Sequence, residues 1–92
     1  MMSLYEVEIE LHGKRLREKI SVINEVVEKV YSGETYIRLI HGYRKGTSWR
    51  DYVRDLDAGL LPRISYILGE QYTFNLNISQ EGSTLLLCFQ NN

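Results

Sequence analysis

The sequence holds one cysteine, one proline and almost no net charge, and each shortage narrows what the protein can be. Cys88 has no partner for a disulfide or a cysteine-based zinc site. It lies in the apolar run Leu85-Leu86-Leu87-Cys88-Phe89, where a thiol reads as core packing before it reads as a reactive group. With so little proline and no low-complexity tract, 43% apolar and 25% charged residues describe a globular composition rather than a disordered one. No run approaches the ~20 apolar residues needed to cross a bilayer, and no charged-then-apolar segment opens the chain. A cytoplasmic location without membrane contact is the expectation. The 92 residues suffice for one domain, in which about two thirds of the unfolded chain's surface would be buried.

A net charge of −1 does not by itself suggest a nucleic-acid partner, but the charge is unevenly spread. Glu6, Glu8 and Glu10 stand at the start without a base among them. Lys14, Arg15, Arg17 and Lys19 follow, against Glu18 alone, and Arg44, Lys45, Arg50 and Arg54 gather later against Asp51. Two basic segments therefore sit in an otherwise acidic chain, and by charge alone they are most simply the solvated faces of two helices.

Glu6-Val7-Glu8-Ile9-Glu10-Leu11-His12 alternates strictly, the period of a strand that buries Val7, Ile9 and Leu11. From Leu16 the period changes, and Leu16, Ile20, Ile23, Val27 and Val30 draw the apolar stripe of a helix ending near Ser32-Gly33. Thr35 to Ile40 is rich in β-formers and reads as a central strand. Ser48 with Asp51 suggests a capping box, and Trp49, Val53, Leu56 and Leu60 mark a second helix that Gly59 and Pro62 should stop. Ile64–Leu68 reads either as a strand or as a short helical extension. Thr73–Ile78 and Thr84–Phe89 look extended, with Gln80-Glu81-Gly82-Ser83 as the turn between them. The expected class is α/β, of the α+β two-layer type: a βαβαββ mixed sheet with its helices on one face.

One partial repeat stands out. Ile9-Glu10-Leu11-His12-Gly13-Lys14-Arg15 and Leu39-Ile40-His41-Gly42-Tyr43-Arg44-Lys45 both run strand, His-Gly, basic pair, helix. A strand-helix-strand crossover makes its two strands parallel, so both His-Gly loops should leave the same sheet edge, where α/β sheets bind ligands and helix N-termini attract anions. Gly13 and Gly42 permit tight turns or close backbone approach, and Gly42 to Thr47 forms a short basic segment that lacks the order of a Walker loop. Taken singly, His12 or His41 is more readily a hydrogen-bonded residue at a strand end than a catalyst. A pair on one edge is suited to general acid and base work on a phosphodiester. Glu10, two residues before His12 on the same strand face, is placed either to orient its imidazole or to share a metal ion such as Mg²⁺ with it.

At these residues the chain resembles the Smr (small MutS-related) domain. That family carries a Leu-Asp-x-His-Gly motif after its first strand and a His-Gly-x-Gly type motif after its second. Here they stand as Ile9-Glu10-Leu11-His12-Gly13 and His41-Gly42-Tyr43-Arg44-Lys45-Gly46; Thr47-Ser48-Trp49-Arg50 is similar to the opening of the family's second helix, and Glu81-Gly82-Ser83-Thr84-Leu85 to the Gly-x-Thr before its last strand. The resemblance implies a βαβαββ sandwich similar to the C-terminal domain of translation initiation factor three, and DNA or RNA binding, with nicking or cleavage in some members. It places the acidic and histidine motif positions at Glu10 and His12, and the second loop at His41, Gly42 and Gly46. Glu10 stands where the family has aspartate, and the second loop carries one extra residue before Gly46.

The first functional expectation is therefore a nucleic-acid module, with Glu10, His12 and His41 as the candidate catalytic groups. Gly13, Lys14, Arg15, Gly42, Tyr43, Arg44, Lys45, Gly46, Thr47, Arg50 and Arg54 would form the binding surface, Tyr43 stacking on a base or sugar. The second is a non-catalytic interaction or assembly domain, a homodimer included, that uses the sheet face bearing Glu6, Glu8, Tyr36, Arg38, Asn75 and Asn77. A small-anion or nucleotide site at the same edge is the third.

Overall fold

The computed structural model describes residues 6–42 and 47–91. Among them are β1 (Val7–Glu10), α1 (Lys19–Tyr31), β2 (Tyr36–Ile40), α2 (Ser48–Arg54), α3 (Leu60–Leu68), β3 (Tyr72–Asn77) and β4 (Ser83–Gln90), with single 3-10 turns at Leu16–Glu18 and Gly69–Gln71. The strands form one mixed sheet in the order β1-β2-β4-β3, with β1 and β2 parallel and the other pairs antiparallel. The helices cover one face, giving the two-layer α+β sandwich that the alternation of periods predicts. No described helix is long and apolar enough to cross a membrane.

Each strand delivers alternate side chains to the core. Ile9, Ile37, Leu39, Leu86 and Cys88 are buried from the sheet side, and Val22, Ile23, Val26, Val30, Trp49, Val53, Leu60 and Ile64 from the helical side. Cys88 is a packed thiol, its pKa pushed up by burial.

Three local expectations fail. The stripe of α1 is Val22, Ile23, Val26 and Val30, whereas Ile20 is 63% exposed. Leu16 belongs to a 3-10 turn of three residues per turn, so counting α-helical steps from it throws the phase off. The second helix is two helices, not one. After α2 the backbone of Asp55 turns extended, and its carboxylate accepts the N–H groups of Asp57 and Ala58 at 2.9 and 3.1 Å, diverting the chain. Leu56 is consequently exposed. Gly59 is not a stop but a joint: a Cβ there would lie 2.0 Å from the Tyr52 carbonyl oxygen, so only glycine lets α3 start against the end of α2. Pro62 sits in the first turn of α3, where no intrahelical N–H is needed, and Ile64–Leu68 is helical. Lastly, the N-cap of α2 is Thr47 rather than Ser48, with the Thr47 hydroxyl donating to Asp51 at 2.8 Å.

Candidate nucleic-acid interface

Parallel pairing of β1 with β2 sets Glu10 opposite Ile40, so the loops that follow these strands leave the same edge. The first loop is a tight turn. Leu11 is buried and donates its N–H to the Ile40 carbonyl at 2.8 Å, the Lys14 N–H returns to the Leu11 carbonyl at 3.1 Å, and Gly13 takes a φ of +82° between them. His12 is thereby turned out of the core. Its Nδ1 lies 2.6 Å from Glu10 Oε1, which also accepts the His12 backbone N–H at 3.0 Å. A carboxylate can only accept, so this contact holds a proton on Nδ1 and turns Nε2 away from Glu10. Both side chains are more than half exposed.

The second loop meets the first through glycine. Gly42 has a φ of +74°, and a Cβ built on it would stand 2.5 Å from His12 Nε2. The imidazole of the first His-Gly pair thus lies against the bare backbone of the second. The N–H groups of His41 and Gly42 both donate to the Gly82 carbonyl, at 3.1 and 2.8 Å. Gly42 therefore serves close approach, and its amide is spent on the β3–β4 turn.

His41 has a different environment from His12. It is 8% exposed, its Nδ1 lies 2.9 Å from the Gly42 carbonyl, and its Nε2 lies 2.9 Å from Thr84 Oγ1. A carbonyl requires a donor, so Nδ1 carries the proton and Nε2 accepts from the threonine hydroxyl. That hydroxyl in turn accepts Arg54 Nε–H at 2.9 Å. Burial pushes the His41 pKa below its ordinary value; the hydrogen bond to Gly42 opposes this, and the charges of Arg54, Arg50 and His12 add to the lowering. With both nitrogens hydrogen-bonded inside the fold, the ring is a strut for its loop, whereas His12 stands exposed beside Glu10.

Arg54 is likewise absorbed. Its Nη2 donates to the carbonyls of Gln80 and Ser83 at 2.6 and 3.1 Å, clamping the β3–β4 turn from the helical side. Arg38 grips the same turn from the other face, donating to Ser83 Oγ at 2.8 Å and Gln80 Oε1 at 3.3 Å, while a bidentate pair with Glu6 holds its fork. These partners in the last hairpin are the residues that sequence reasoning missed. The only signal was the Gly82-Ser83-Thr84 string, noted as a motif without a role.

The remaining expected residues fall into three groups. Of the cations Lys14, Arg15 and Arg50, Lys14 is 3.7 Å from Glu25 and Arg50 is 3.7 Å from Asp51. Trp49 Nε1 donates to the Lys14 carbonyl at 2.9 Å and ties the first turn of α2 to the first loop. Thr47 spends its hydroxyl on Asp51. Tyr43, Arg44, Lys45 and Gly46 lie outside the described residues.

Among the described residues no three His, Cys, Asp or Glu side chains gather to hold a metal. Glu10 and His12 supply two donors, so a Mg²⁺ ion bound there would complete its shell with water or phosphate oxygens. Compared with protein-family models, curated proteins and solved structures, the chain matches none.

Proposed function

We propose that this protein binds DNA or RNA at the edge where its two His-Gly loops meet, and that Glu10 and His12 form a general-base pair able to cleave a phosphodiester there. One observation carries the reading: His12 Nε2 lies over the bare backbone of Gly42 while Glu10 Oε1 holds Nδ1 at 2.6 Å. Lys14 and Arg15 follow the first His-Gly pair in the sequence, and Arg44, Lys45 and Arg50 follow the second. The resemblance to the Smr motifs points the same way.

In the cleavage step, His12 Nε2 takes the proton of an attacking hydroxyl or water oxygen as that oxygen bonds to phosphorus, the P–O bond to the leaving oxygen breaks, and the leaving oxygen takes a proton from solvent water. Glu10 matches the positive charge that appears on the ring. His41, neutral and buried, keeps Gly42 beneath His12.

Labelled single- and double-stranded DNA and RNA, with and without Mg²⁺, test this. Neutralising ~4–6 phosphates gives a slope near −4 to −5 for log affinity against log salt. His12→Ala and Glu10→Gln should abolish cleavage while leaving most binding. Cleavage unchanged in both variants removes the catalytic assignment, and no binding at low salt removes the whole reading.

A second reading draws on the open face of the sheet. Register sets Leu85 between Arg38 and Asn77, and Leu87 between Tyr36 and Asn75, with half-exposed Phe89 opposite Thr73. The expected polar face has an apolar centre, which suits pairing with a second copy. Sedimentation of the chain beside Leu87→Asp tests that homodimer.

A further inference from the structure

The helical layer carries a groove of about 410 Å³ that the site above does not use. It lies between the first turns of α1 and α3, where Ile20 and Pro62 give an apolar floor, Tyr52 and Tyr66 two aromatic rings, and Lys19 and Arg63 two cations. No carboxylate lines it. Glu18, next to Lys19 in the chain, is turned to the Arg15 N–H, and Asp55 to the N–H groups of Asp57 and Ala58. Ile20 is 63% and Tyr66 87% exposed, so neither is explained by the fold's own packing. Lys19 Nζ rides 5.4 Å above the Tyr52 ring, which holds its charge at the groove.

The groove adjoins the first loop along the chain, because Lys19 and Ile20 open α1 directly after the 3-10 turn Leu16–Glu18 that follows Gly13. The Lys14 carbonyl binds the Trp49 indole, and Trp49 meets Tyr52 edge to face with centroids 6.3 Å apart. Trp49 is buried, so this contact braces the Tyr52 wall of the groove from the core side.

We propose that this groove takes the nucleotides flanking the phosphate held at the loops, with Tyr66 stacking a base and Lys19 and Arg63 meeting backbone phosphates, so that the ligand is single-stranded. The proposal rests on the nucleic-acid reading above. Alternating cations and exposed aromatics are what an unpaired strand uses, because every base offers a face to stack, whereas a duplex hides those faces. An acidic peptide would find the same cations; the groove's place beside the first loop favours the strand.

The test compares a single strand of about four nucleotides, enough for the loops, with one of about twelve and with a duplex of that length. Lengthening the single strand should tighten binding roughly tenfold, the duplex should gain much less, and Tyr66→Ala should erase the increment while leaving the short strand's affinity alone. Tyr66→Phe should keep it, and Lys19→Ala with Arg63→Ala should lower the long strand's salt slope by about 1.4. At 87% exposure Tyr66 can be truncated without disturbing the fold. A short strand that binds with no gain on lengthening, or a gain that survives Tyr66→Ala, overturns the groove assignment and leaves the loop site standing. Poly-glutamate that binds the parent but not Tyr66→Ala, with no strand-length effect, gives the groove to an acidic protein ligand instead. If neither strand binds, the parent reading has failed, and this one with it.

Discussion

Gly42→Ala separates two effects that the structure superimposes at one residue. The first is conformational: a φ of +74° costs an alanine roughly 1–2 kcal/mol relative to glycine. The second is steric, because the new methyl would stand 2.5 Å from His12 Nε2, about 1 Å inside ordinary contact. His12 is exposed and can swing aside, so the steric part does not add much to unfolding. It costs the His12–Glu10 contact, about 0.5–1.5 kcal/mol for one hydrogen bond. Gly13→Ala is the internal control, since φ there is +82° and no atom lies within 4 Å of the new methyl. Both variants should melt lower than the parent by roughly 4–15 °C for a domain of this size. Gly42→Ala alone should displace the imidazole, read as a change in the His12 Cε1–H and Cδ2–H chemical shifts, with loss of cleavage at the loop edge. Adding His12→Ala should bring Gly42→Ala level with Gly13→Ala in melting temperature. Equal His12 spectra in the two glycine variants would refute the apposition of the loops.

Three further outcomes follow from the geometry. Thr84→Val removes the hydroxyl that donates to His41 Nε2 and accepts from Arg54, stranding a buried and a part-buried partner, and should cost about 1–3 kcal/mol by urea unfolding; a smaller cost would mean the chain of hydrogen bonds is not held in solution. Because folding lowers the His41 pKa, its contribution to stability is complete above its ordinary value of 6.5 and is lost as pH falls from there through the depressed folded value. Urea midpoints should therefore drop as pH falls below about 6.5, and His41→Gln should flatten that part of the profile; an unchanged slope would place the ring in solvent. Gly59→Ala drives a methyl to within 2.0 Å of the Tyr52 carbonyl oxygen and 2.4 Å of the Asp55 carbonyl oxygen. It should cost more than about 3 kcal/mol or prevent folding, and a near-neutral effect would show that α2 and α3 do not meet there.

The sequence by itself determined the order of most elements. Period-two alternation over residues 6–11 and the helical periodicity after them are properties of neighbouring residues, because each strand or helix must offer one apolar face wherever it is finally packed. It also determined that two His-Gly pairs follow two strands, and a parallel crossover sufficed to put them on one edge. What the periodicity missed were contacts between distant or unlike segments. Helical counting could not see the break at Asp55, made by a side chain bonding to its own backbone, nor the phase slip after the 3-10 turn. Above all, it could not tell His12 from His41. Both precede glycine after a strand, yet one faces solvent against Glu10, and the other is sealed because β4 lies next to β2 and brings Thr84 and Gly82 to it. Whether a histidine is free to move protons depends on which strand is hydrogen-bonded beside it, and long-range pairing of that kind is decided only when the whole sheet closes around the core.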